Sequence, residues 1–144
     1  MNIFEEIRKD HEKQRTLMDL LVKTEGESDG RKELWAKLKQ ELRGHEKAEE
    51  RYFYNPLMEH DRTQGMARHS IAEHHEMDEL VEELEKTDMT APKWLQTAKK
   101  LKEMLEHHLD EEEQEIFQQA GVVLTEAEKS KLAERFRGYR NATT

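Results

Sequence analysis

Residues of the same kind recur in this chain sixty-three positions apart. His11 is matched by His74, His45 by His108, and Glu49 by Glu112. The apolar frame keeps the same register: Leu17 with Leu80, Met18 with Val81, Leu21 with Leu84, Leu38 with Leu101, and Leu42 with Leu105. Within each copy the apolar residues step by three and four, the period of a helix with one buried face. A pair of amphipathic helices buries those faces best against a second pair. The repeat therefore predicts an all-α fold, an up-down-up-down four-helix bundle made of two hairpins related by an approximate two-fold.

Helix ends follow from capping residues and breakers. The first helix is expected from Ile3 to Lys23, capped by Asn2 with Glu5 three residues on. Residues 24–30 read as a loop, and a second helix follows from Arg31 to Tyr54, ended or kinked by Pro56. His60 to Gly65 read as a turn before a third helix from Met66 to Lys86. Thr90 is the expected cap of a fourth helix from Pro92 to Gln119, with Gly121 ending it. Thr125 with Glu128 forms a capping box for a short fifth helix over about 126–137, packed across one end. All 144 residues then make one domain, with the bundle over about 3–119.

Composition narrows the function. Charged residues make up 40% of the chain and the formal net charge is −9, a balance that repels nucleic acid. The basic stretch from Arg135 to Arg140 reads as a solvated helix end. Cysteine is absent, which removes thiolate ligands and thiol chemistry. No apolar run reaches membrane-spanning length, and acidic residues stand where a signal peptide would need basic and apolar ones. The expectation is a cytoplasmic protein without membrane or nucleic-acid partners; a protein partner is left open.

The repeat also sorts the eight histidines. His11, His45, His74 and His108 obey it and fall on the apolar stripes; His60, His69, His75 and His107 do not. On the second helix the inward series is Leu38, Leu42, His45, Glu49, Phe53, and on the fourth it is Leu101, Leu105, His108, Glu112, Ile116. A carboxylate left alone in such a core costs several kcal/mol or protonates. Two of them beside four imidazoles, with no inward lysine or arginine on these stripes, call for a divalent cation. His and Glu at i and i+4 reach one ion together. Imidazole with carboxylate favours octahedral iron or manganese over tetrahedral zinc. A ferritin-like site needs Glu-x-x-His, and no histidine here has Glu three residues before it. No His-Glu-x-x-His occurs either. Two shifted pairs, His75 with Glu79 and His107 with Glu111, have helical spacing but no echo in the other hairpin, and read as surface or outer residues. Glu50 and Glu113 are echoed and stand as outer partners or an extra ligand. Tyr52 and Tyr54 are within reach of the site's edge, but tyrosines near a helix end read more often as packing.

The pattern Asp10-His11, His45-x-x-x-Glu49-Glu50, Glu73-His74 and His108-x-x-x-Glu112-Glu113 resembles the hemerythrin-like (HHE cation-binding) family, over about Phe4 to Phe117. The resemblance implies a four-helix bundle around a non-haem di-iron centre, with Glu49 and Glu112 bridging and His11, His45, His74 and His108 as terminal ligands. It implies two iron ions, for which manganese or zinc can substitute, and a small ligand such as dioxygen, nitric oxide or peroxide. The oxygen-carrying branch has a fifth histidine one turn before the position of His74; here that residue is Ser70. Four histidines form a symmetric set that leaves an open position on each metal. The expected function is to bind such a ligand for sensing, binding or detoxification; turnover is not specified. The alternative is a non-catalytic metal-handling or regulatory module acting through a protein partner, with the fifth helix as its contact.

Overall fold

The computed structural model describes residues 1–143 and shows five helices, with no strand among the described residues. Helix α1 (Ile3–Leu21) begins at Asn2, whose Oδ1 accepts the Glu5 N–H at 3.0 Å. Helix α2 (29–57) begins two residues earlier than expected because Ser28 caps it, its hydroxyl accepting the Arg31 N–H at 3.2 Å. Helix α3 (Asp61–Lys86) takes in most of the stretch expected to be a turn. His60 is extended there and its carbonyl starts the helix, so Gly65 lies inside α3 and not before it. Helix α4 (92–123) starts after Ala91; Thr90 bonds Asp88 and does not cap it. Gly121 is helical, and α4 stops only at Leu124. Helix α5 (Glu126–Thr143) opens with the expected reciprocal box, Glu128 N–H to Thr125 Oγ1 at 3.1 Å and Thr125 N–H to Glu128 Oε1 at 2.9 Å.

Helix α1 packs on α2 and α3 on α4, as the two expected hairpins. Helix α5 is longer than expected and lies along α1 and α2, burying Leu132, Ala133 and Phe136. The apolar core falls into two clusters. One is built around Ile3, Ile7, Phe53, Phe117 and Phe136. The other holds Met18, Leu38, Leu84 and Leu101, closed by Trp35 and Trp94 in edge-to-face contact at 5.9 Å. Neither cluster contains the repeat histidines. They occupy a polar layer between the two, buried to 3% exposure or less. Among the described residues, no helix is long and apolar enough to cross a membrane.

Candidate metal centre

Glu49 and Glu112 each stand at a change of helical winding. The Asn55 N–H bonds Glu50 O and the Phe117 N–H bonds Glu112 O, so one turn in each hairpin closes i to i−5. A π-turn inserts one residue and rotates the helix face beyond it. The inward series 45, 49, 53 assumes a regular α-helix. The inserted residue instead brings both Phe53 and Tyr54 inside, and likewise both Ile116 and Phe117. The two interruptions occupy nearly equivalent places in the repeat, where the second and fourth helices pass the polar layer.

The six expected residues converge. Glu49 Oε2 lies 3.1 Å from His45 Nε2, while its Oε1 lies 3.0 Å from His74 Nε2. Glu112 mirrors this, with Oε1 2.9 Å from His11 Nε2 and Oε2 3.6 Å from His108 Nε2. Each carboxylate thus spans from one histidine pair to the other. His11, His45, Glu49 and Glu112 bring one ligand atom each within 4.8 Å of one another, and so do Glu49, His74 and His108. Adjacent donors around an octahedral ion with bonds of about 2.1 Å sit about 3.0 Å apart, so this spacing suits coordination.

The outer nitrogen of each imidazole is held by an acid from a neighbouring helix. Asp10 takes His45 Nδ1 at 2.7 Å and Glu73 takes His108 Nδ1 at 2.8 Å. Glu113 takes His11 Nδ1 at 2.5 Å and Glu50 takes His74 Nδ1 at 2.8 Å. All four pairs obey the two-fold. This fixes the tautomer, with the proton on Nδ1 and the Nε2 lone pair facing the carboxylates, the arrangement that prepares an imidazole for a metal. Four buried atoms on this inner side, His11 Nε2, His108 Nε2, Glu49 Oε1 and Glu112 Oε1, crowd one another, with His11 Nε2 2.9 Å from Glu112 Oε1, yet none makes a well-formed hydrogen bond among the described residues. Unsatisfied buried donors and acceptors are costly. A cation coordinated by them removes that cost, so these residues fit the metal that the sequence implies.

Without an ion, protons supply the positive charge. Burial alone would depress the His45 imidazole, but Glu49 and Asp10 outweigh it and raise it to about 10. His108 is likewise raised against burial by Glu49 and Glu73, to about 9. Burial and the charge of Glu49 push Glu112 up. Burial also acts on Glu49, but its histidine neighbours hold it down. Glu113 is held at about 2 against partial burial by His11 and Arg15.

Several neighbours break the two-fold. The Tyr54 hydroxyl donates to Glu112 Oε2, where the other hairpin has Phe117. Ser70 is buried on the same side, where the other hairpin has Ile7. Tyr54 is therefore part of the site and not peripheral packing. The basic C-terminal stretch also departs from expectation at Arg140, which is buried and pairs with Asp10 at 2.8 Å and Glu41 at 2.5 Å. Its spacing after Leu132, Ala133 and Phe136 places it on the apolar face of α5, a signal present in the sequence. His75 is exposed, and His107 is an exposed partner of Glu111 at 3.3 Å.

The family model for the hemerythrin HHE cation binding domain matches residues 2–120. Among solved structures, a hemerythrin HHE cation binding domain-containing protein from Mycobacterium kansasii superposes with a TM-score of 0.84 at 25% identity, covering 99% of this chain and 89% of that one. Comparison with curated proteins gives no match. Since the matched span takes in most of the chain, the chain belongs to the hemerythrin HHE cation-binding domain family.

Proposed function

We propose that the chain is a non-haem di-iron protein that binds a small oxidising ligand, namely dioxygen, nitric oxide or peroxide, for sensing, binding or detoxification. The observation that carries this reading is the span of Glu49 and Glu112 between two histidine pairs, each histidine anchored through Nδ1. His11 and His45 would hold one iron and His74 and His108 the other, with both glutamates shared. Bound iron supplies open coordination positions and a change of oxidation state. The protein supplies orientation, through Asp10, Glu50, Glu73 and Glu113, and a wall of Phe53, Ile116 and Phe117 that limits water. Tyr54 and Ser70 place hydroxyl groups on one side only, so the two metal positions would differ in polarity.

The regulatory alternative draws on one observation: Arg140 of α5 bonds Asp10, which bonds His45. A partner that moved α5 would disturb a ligand of the centre. Because α5 buries part of its surface on α1 and α2, its removal would disturb the metal as well, and truncation would not separate the two readings. A ligand test does. Iron-loaded protein is mixed anaerobically with nitric oxide, and separately with dioxygen and hydrogen peroxide, while the visible spectrum is followed. A saturable change with one of them supports the proposal. An iron-loaded protein indifferent to all three would leave the metal-handling alternative.

A further inference from the structure

A second cluster of imidazoles and carboxylates lies on the outside of the α3–α4 hairpin. His69 and Glu73 are one turn apart on α3, and His107 and Glu111 are one turn apart on α4. His69 Nε2 is 3.4 Å from Glu73 Oε2 and 3.4 Å from Glu111 Oε1. The other oxygen of Glu111 faces His107 Nε2 at 3.3 Å. His69, Glu73 and Glu111 bring one donor each within 4.8 Å of one another, and both imidazoles are exposed.

The two-fold shows what this place lacks. Glu73 corresponds to Asp10 and His107 to Gly44. In the first hairpin that place is filled by a cation of the protein itself: Arg140 bonds Asp10 at 2.8 Å and lies directly over Gly44. Helix α5 covers only that side. In the second hairpin, among the described residues, neither Glu73 nor Glu111 has a lysine or arginine partner; their ion-pair partners are histidines. Two carboxylates and two imidazoles with no fixed positive charge are ligands for a divalent cation from solution.

We propose that His69, Glu73 and Glu111, with His107 at the rim, form an exposed divalent-cation site distinct from the buried centre. Two imidazoles select zinc or another late first-row ion over magnesium or calcium, which prefer all-oxygen sites. Glu73 joins the two places, since its Oε1 holds His108 Nδ1 at 2.8 Å while its Oε2 faces His69. An ion outside would therefore share the Glu73 carboxylate with the buried His108 that it orients.

The test is equilibrium dialysis of the purified chain against zinc, with zinc and iron counted in the same samples, for wild type and for His69→Ala combined with Glu111→Gln. Both substitutions lie outside the core. Wild type is expected to hold about one zinc per chain more than the variant, with equal iron in both. His107→Arg, which brings a fixed cation to the place as Arg140 does opposite, should lower zinc uptake while keeping iron. Equal zinc in wild type and the double variant would overturn the proposal. The iron count, read independently, reports on the buried centre, so failure of the di-iron reading would show there and not in the zinc difference.

Discussion

Replacing Gly44 by alanine sets helix propensity against packing. Gly44 lies inside α2, and in an exposed helix interior this change stabilises by about 1 kcal/mol. Here a Cβ would overlap Arg140 Nη1 and come within 3.3 Å of its Cζ and 3.4 Å of Thr143 Oγ1. The guanidinium cannot retreat without loosening from Asp10 at 2.8 Å and Glu41 at 2.5 Å, all three residues being buried. Breaking a buried ion pair by displacing one partner costs roughly 3–5 kcal/mol, with water reaching the displaced group keeping it near the lower end. Set against the propensity gain, Gly44→Ala should destabilise by about 2 kcal/mol. Urea denaturation of the metal-free protein measures it. Gly65→Ala is the control, since it is helical with nothing within 4 Å of its Cβ, and it should be neutral or stabilising by up to about 1 kcal/mol. A Gly44→Ala protein as stable as wild type, or more so, would refute the role given to Arg140.

Glu49→Ala combined with Glu112→Ala should abolish tight binding of a second metal, as judged by metal analysis after anaerobic reconstitution; two retained ions would refute shared carboxylates. Glu46→Gln tests a buried acid beside the centre. Burial, with Asp78 nearby, raises the Glu46 carboxyl to about 9, so the folded metal-free chain keeps a proton that the unfolded chain releases above about 4.5. Wild-type stability from this group therefore falls as pH rises from about 4.5 towards 9, and Glu46→Gln should flatten that fall and stabilise at pH 8 relative to pH 5. Parallel denaturation curves at the two pH values would contradict it. Metal uptake should release protons from His45 and His108, which are raised to about 10 and about 9, and so tighten as pH rises. Calorimetry in two buffers of different ionisation enthalpy reads that release, and a buffer-independent heat would argue against it.

The bundle and its six inner residues were legible because a repeat carries its own control. His11, His45, His74 and His108 were separable from four other histidines by register alone, and the structure brings them together with Glu49 and Glu112. Glu50 and Glu113 were visible as echoed residues. That they hold His74 and His11, while Asp10 and Glu73 hold His45 and His108, depends on which helices face one another, and no spacing along the chain shows that. The π-turns are illegible for a related reason: apolar spacing implies a regular period through positions 50–54 and 112–116, and such a period does not bring Tyr54 inside beside Phe53. The start of α3 is not legible because a glycine such as Gly65 reads as part of a turn, whereas an exposed helical glycine is tolerated at modest cost. The burial of Arg140 is legible only from its position on the helix face, since a basic C-terminus otherwise reads as solvated. Features that break the two-fold have no echo along the chain, so the repeat does not reveal them.

Metal analysis of the purified chain, after anaerobic reconstitution with ferrous iron and with the visible spectrum recorded in air, tests the central claim most directly. About two irons per chain, with visible absorption from the centre, is the expected result. A folded helical chain that holds no more than a trace of iron would contradict a di-iron centre and leave the buried histidines and glutamates as a hydrogen-bonded layer of the bundle.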